Sequence, residues 1–212
     1  MSNLEVYFNN HNKALRFPWS IYHQPLINDL NLFLDTFVKP GSSVLVIGPG
    51  DFQEFDLIHN KVAKVSVLDI DSRVIETLEK RHGNSICEYF LVDGEFNGYP
   101  LTKKFDVIYA KEVIEHIIDY KRFLAHLNTM LKDDGGMWIS TPNYGFFLLP
   151  LLEVTILEVI ARVSGFSRKN IHPSKFTEAS FLSAAKEAGF NEIIVKETPF
   201  RLALIMTLGK SA

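Results

Sequence analysis

The sequence predicts an α/β fold: a mostly parallel sheet wound by helices on both faces, with its last strand antiparallel to the rest. Three observations predict it. From about residue 42, short apolar runs alternate with helix-period stretches, as strands buried beneath crossover helices do. The first run ends in a glycine-rich turn, Gly48-Pro49-Gly50, of the kind that carries a strand into a helix. The last two runs are joined only by Thr198-Pro199-Phe200, too short a link for a crossover, so they form a hairpin.

Residues 1–40 precede the sheet as an N-terminal helical extension or lid. It has an aromatic entry (Phe17, Trp19, Tyr22) and a helix from about Pro25 to Val38, stopped before Pro40-Gly41. Residues 41–212 hold the sheet. Val44 to Ile47 is a continuous apolar run bounded by Gly41 and Gly48, as a strand buried on both faces requires. Val65 to Asp69 is the second strand, and Ser72 to His82 the helix after it, ended by Gly83. Ile86 to Val92 is the third. Phe105 to Ala110 is the fourth, followed by a helical pattern running to Leu131. Asp133-Asp134-Gly135-Gly136 turns into a fifth strand, Met137 to Thr141. Thr177 caps a helix to Ala188, and Ile193 to Lys196 and Leu202 to Leu208 close the chain.

Of the 212 residues, 47% are hydrophobic and 22% charged, which excludes a disordered or coiled-coil chain and supports a sizeable core. Cys87 is the single cysteine, so a disulfide framework and a cysteine-based zinc cluster are excluded, and a reducing, cytoplasmic setting fits. A net charge of −3 argues against strong nucleic-acid binding. No secretory signal is visible in Met1 to Asn12. The longest apolar run, Phe146 to Ala161, is broken by Pro150, Glu153, Thr155 and Glu158 and falls short of the roughly 20 apolar residues of a spanning helix. On a helical wheel Thr155, Glu158 and Arg162 oppose Leu152, Ile156, Val159 and Ile160. That face suits an amphipathic lid over an apolar substrate, a peripheral membrane contact or a homodimer interface.

The glycines after the first strand stand where the backbone must bend sharply and let a ligand approach. Nineteen residues beyond Gly50, at the end of the second strand, Asp69 is placed to accept both hydrogens of an adenosine ribose diol. Asp93-Gly94 ends the third strand, where an adenine amino group can be held. Gln53 occupies the position of the third glycine of a dinucleotide fingerprint, so a nucleoside without phosphates suits these residues better than a pyrophosphate.

From Val44 onward the chain resembles the class I S-adenosylmethionine-dependent methyltransferases. Val44 to Gly50, Val65 to Asp71, Leu91-Val92-Asp93-Gly94, Phe105 to His116, Leu131 to Gly136 and Ser140-Thr141-Pro142-Asn143 match that family in order and spacing. Phe105 to Ile108, Glu112 to His116 and the Ser-Thr-Pro-Asn run are similar to the ubiquinone-biosynthesis O-methyltransferase type. The resemblance implies a Rossmann-like, doubly wound, seven-stranded sheet with the last strand reversed, and S-adenosyl-L-methionine as cofactor. It assigns Gly48 and Gly50 to the methionine portion and turn, Asp69 to the ribose and Asp93 to the adenine, and it adds Pro49, Ile70, Gly94 and Lys111 to the cofactor-binding residues. It makes residues 142–172 a substrate-capping insertion and implies methyl transfer to an O or N atom of a small or lipid-like acceptor. Val46 stands where the family usually has an acidic residue and Phe52 where it often has a small one, which leaves Asp51 as the nearby carboxylate.

Glu112, Glu115 and His116 fall at i, i+3 and i+4 after the fourth strand, so a helix there would present all three on one face. The resemblance puts that face beside the methyl group, where a base or a metal would activate a hydroxyl nucleophile. The same spacing resembles the metal-binding signature of small-RNA 3′-end 2′-O-methyltransferases, in which a more distant His completes the site. His172, within Ile171 to Phe176, is that candidate here. Glu112, Glu115, His116 and His172 then form a set for Mg²⁺, Mn²⁺ or Zn²⁺. Without a metal, His116 is the general base candidate, and the plain alternative is first-turn carboxylates beside a structural His. Two other functions compete. One is RNA ribose 2′-O-methylation, disfavoured by the acidic balance. The other is a non-catalytic methyltransferase-like module binding a partner through the apolar segment.

Overall fold

The chain runs from α1 (Ser20–Phe37) through β1 (Ser42–Ile47), a short α2 (Phe55–Ile58), β2 (Val62–Asp69), α3 (Ser72–His82), β3 (Cys87–Leu91) and β4 (Phe105–Lys111). After a 3-10 turn at Ile114–His116 come α4 (Tyr120–Met130), β5 (Leu131–Pro142), α5 (Ile156–Val163), α6 (Glu178–Glu187), β6 (Glu192–Glu197) and β7 (Ala203–Gly209). This computed structural model describes residues 17, 19–93, 99, 102–147, 149–151, 155–163, 165 and 172–210. Seven strands form one sheet in the order β3-β2-β1-β4-β5-β7-β6. All pairings are parallel except those of β7, which runs antiparallel to both β5 and β6. The reversed last strand read from the short Thr198 to Phe200 link is therefore present.

Strand alternation divides the core in two. Val44 and Val46 point to one face and join Leu26, Leu30 and Leu34 of α1, Ile58 of α2 and Leu78 of α3. Leu45 and Ile47 point to the other and join Phe123, Leu124 and Leu127 of α4 and Phe181 of α6. Helices on both faces explain why β1 reads as an unbroken apolar run. Cys87 is buried in the sheet as a small apolar residue, and burial pushes its thiol up.

Three elements differ from their sequence reading: β5 runs from Leu131 to Pro142 and so takes in Asp133 to Gly136, read as a turn, and two helices differ as well. The helix α1 starts at Ser20 rather than near Pro25, because an internal proline forfeits a single bond, to the carbonyl of exposed Ile21. The helical pattern after β4 is also not one helix. Glu112 has a φ of +58°, a 3-10 turn follows, and Ile117 is extended. A separate helix then begins where Asp119 caps the N–H of Arg122 at 3.2 Å. The helical-face arrangement of Glu112, Glu115 and His116 is thereby corrected: the three lie on an irregular turn. Leu152 lies outside the described residues, and among those described no helix is long and apolar enough to cross a membrane.

Candidate active site

Where β1 runs out, Gly48 and Gly50 adopt φ of +62° and +54°, the left-handed region open to glycine. The Gly48 N–H donates to the Leu68 carbonyl at 2.9 Å, tying the turn to β2. A Cβ on Gly48 would sit 2.5 Å from Val113 Cγ2, whereas one on Gly50 would meet nothing within 4 Å. The first glycine is thus demanded by the protein's own packing, and the second opens onto empty room. That room belongs to a cavity of about 530 Å³ at the carboxyl edge of the sheet. Phe52, also at positive φ, turns its ring into the core edge-on to Phe55 and His82.

The sequence-predicted residues Gly48, Pro49, Gly50, Asp69, Ile70 and Asp93 all line this cavity, and so do Lys111, Glu112 and His116. Gly94 lies outside the described residues. Burial pushes the Asp69 carboxyl up to about 6, against the opposing pull of the Asp71 N–H, which donates to its Oδ1 at 2.8 Å. The nearby Asp71 carboxylate raises it further. Asp71 itself is held below the usual carboxylate range by Arg73 and caps α3.

Past β4 the polar groups separate into two sets. Lys111 reaches Glu54, a carboxylate only 2% exposed, at 2.6 Å. Glu112 accepts from the Tyr22 hydroxyl at 2.5 Å and from Ser140 Oγ at 3.0 Å, and its N–H donates to that same Ser140 oxygen. The second set is Glu115, His116 and His172, whose ligand-type atoms all lie within 4.8 Å of one another. The rings of His116 and His172 meet edge to face at 4.9 Å, and the Tyr144 hydroxyl is 2.6 Å from His172 Nδ1. The structure therefore brings three of the four metal candidates together, while Glu112 is directed to α1 and β5.

Sequence reasoning does not mark Glu54 or Tyr144; Tyr22 belongs to the aromatic entry of the N-terminal lid, and the structure brings its hydroxyl to Glu112. Neither Glu54 nor Tyr144 has a local signal, because each partner is far away in sequence. Ser140 belongs to the Ser-Thr-Pro-Asn run at the end of β5. His23 and Ile27 of α1 also line the cavity, placing the N-terminal helix in its wall.

Residues 19–195 match the family model described as a methyltransferase domain. The chain belongs to this methyltransferase family. Malonyl-[acyl-carrier protein] O-methyltransferase 1 of Ilyobacter polytropus is 30% identical over 94 residues, 44% of this chain and 35% of that protein. The mitochondrial ubiquinone biosynthesis O-methyltransferase of Schizosaccharomyces pombe is 29% identical over 128 residues, 58% of this chain and 46% of the other. The matches thus span half or less of these relatives. Among solved structures, a SAM-dependent methyltransferase from Aquifex aeolicus aligns with a TM-score of 0.64 at 13% identity, covering 98% of each chain. The CurJ carbon methyltransferase aligns at 0.71 and 12% identity, covering 100% of this chain and 62% of that one. These two share the fold.

Membership of the methyltransferase family implies S-adenosylmethionine as cofactor, and the residues present fit it. The open space over Gly50 leaves room for a ligand beside the backbone, and Asp69 is a half-buried carboxyl with no ion pair among the described residues, which would gain from a pair of hydroxyl donors.

Proposed function

We propose that this methyltransferase transfers the methyl group of S-adenosylmethionine to an O or N atom of a small or lipid-like acceptor. The observation that carries the reading is the cavity at the ends of β1, β2 and β4, with open room over Gly50 and the half-buried Asp69 carboxyl in its wall. When bound, the cofactor supplies a methyl group already activated by its sulfonium, so binding, alignment and proton removal fall to the chain. Asp69 takes the ribose hydroxyls, and Ile70 and Asp93 border the base. His116 takes the acceptor's proton on its imidazole, steadied by His172, which the Tyr144 hydroxyl holds at Nδ1. Exposed Phe147, Leu151 and Val159 in the segment after β5 favour a lipid-like acceptor.

Calorimetry with S-adenosylmethionine tests the reading: the protein binds it, and Asp69→Ala loses at least roughly tenfold in affinity. A radiolabelled-methyl screen against metabolite and lipid extracts then identifies the acceptor. A folded protein that binds no nucleoside overturns the proposal in favour of the partner-binding module, and label appearing in RNA redirects it to ribose methylation.

A second reading adds a divalent metal on Glu115, His116 and His172. Two imidazoles and a carboxylate are a set that takes a transition metal or Zn²⁺ with positions left open, once the side chains close to about 2.1 Å. If it holds, Mn²⁺ or Zn²⁺ added to chelator-treated protein raises its Tm, and His172→Ala abolishes the shift. No shift in the parent protein leaves His116 as a metal-free base.

A further inference from the structure

We infer that Lys111 and Glu112 recognise the two ends of the cofactor's amino-acid portion, Lys111 its carboxylate and Glu112 its ammonium, with buried Glu54 as the positioning residue for Lys111. This rests on the reading of the cavity as an S-adenosylmethionine site and states what grips the part that is not nucleoside.

Lys111 and Glu112 are consecutive, oppositely charged, and both line the cavity together with Gly48. A zwitterion needs such a pair of charges close together. Each is also held from behind. Glu54 accepts from Lys111 Nζ at 2.6 Å, and an ammonium with three hydrogens keeps donors for a second carboxylate. Glu54 is 2% exposed and absent from the cavity wall, so it orients Lys111 without competing for the ligand. Glu112 is fixed by Tyr22 and Ser140, bonds that enter as donors and preserve its negative charge.

The arginines in the wall are engaged elsewhere, and Asp51 in the same wall is the rival carboxylate for the ammonium. β1 contributes no charge, since Val44, Leu45 and Val46 are fully buried in the core. Arg73 is engaged by Asp71 at 2.6 Å, and Arg81 donates to the Asp51 carbonyl at 3.0 Å. Both stand on α3, and Asp69, which the nucleoside reading gives to the ribose, is at the end of β2 just before it.

Three ligands separate these roles by calorimetry. S-adenosylmethionine carries both charges, its decarboxylated form keeps only the ammonium, and 5′-methylthioadenosine has neither. The parent protein prefers the intact cofactor over the decarboxylated one by roughly 10- to 100-fold, the range of a charge-assisted hydrogen bond. Lys111→Met reduces that preference to within about threefold and leaves 5′-methylthioadenosine unaffected. Because this variant strands the buried Glu54, the double variant Glu54→Gln/Lys111→Met is measured beside it and gives the same pattern. Glu112→Gln weakens both ammonium-bearing ligands together by roughly tenfold and spares the third. A Lys111→Met or double-variant protein that still prefers the intact cofactor overturns the Lys111 role. Unchanged affinities in Glu112→Gln overturn that of Glu112. A parent protein that binds none of the three overturns the reading of the cavity, and this inference with it.

Discussion

If Asp69 holds the ribose as proposed, this one side chain trades stability for binding. Its carboxyl titrates at about 6 in the folded protein and near 3.8 when exposed, so between those pH values the folded state binds more protons than the unfolded one. Stability therefore falls as pH rises through that window, and the full cost, about 2–3 kcal/mol, is present at neutral pH. Asp69→Asn removes the charge at nearly constant shape. We expect it to stabilise the ligand-free protein at pH 7 by up to that amount, to gain nothing below about pH 4, and to weaken nucleoside binding. Denaturant titrations at the two pH values check the first part; equal stability of the two proteins at pH 7 would show that burial does not strain this carboxyl. Asp69 was legible in the sequence because its spacing from the glycine turn is local to one strand-helix-strand unit. Glu112 was not. Its φ of +58° and its turn toward Tyr22, ninety residues earlier, are set by tertiary contacts that no local pattern encodes.

At the scale of elements, the glycine turn makes two different demands with two similar residues. Both glycines sit at positive φ, so an alanine at either position costs about 1–2 kcal/mol in backbone strain. Gly48→Ala adds a collision with Val113 Cγ2 at 2.5 Å, and a larger loss of Tm is expected. Gly50→Ala meets no neighbour, so its further effect falls on ligand affinity as the new methyl enters the cavity. Thermal denaturation and calorimetry on the pair separate the two; a Gly50→Ala protein that binds the cofactor normally would show that the ligand does not approach there. The strands themselves were legible as apolar runs because helices cover both faces. The turn after β4 was read as continuous helix, since Glu112, Glu115 and His116 fit helical spacing. The capping Asp119 and the extended β-branched Ile117 that break it are weaker signals than that periodicity.

For the whole molecule, α1 ties the site to the opposite end of the sheet. It runs antiparallel along β5. Phe37 packs over Gly136, Asp29 accepts from Trp138 Nε1 at 2.9 Å, and Tyr22 meets the carboxylate that Ser140 also holds. At 1.5 Å per helical residue, Phe37 is about 22 Å from Tyr22. A Cβ on Gly136 would fall 2.3 Å from the Phe37 ring, so Gly136→Ala must push that ring, and with it the C-terminal end of α1, away from the sheet. A shift at that end passes along α1 toward the other, where His23 and Ile27 line the cavity and Tyr22 holds Glu112. Gly136→Ala is therefore expected to cost roughly 1–3 kcal/mol of stability. It should also weaken S-adenosylmethionine binding from a position that touches no ligand. Ile194→Ala, at an exposed site on edge strand β6, is the control and should change neither quantity by much. If Gly136→Ala lowers Tm but leaves affinity within about twofold, α1 serves as a structural cover whose contact with the site is incidental. If both fall together, the helix that the sequence set apart from the sheet is part of the binding site.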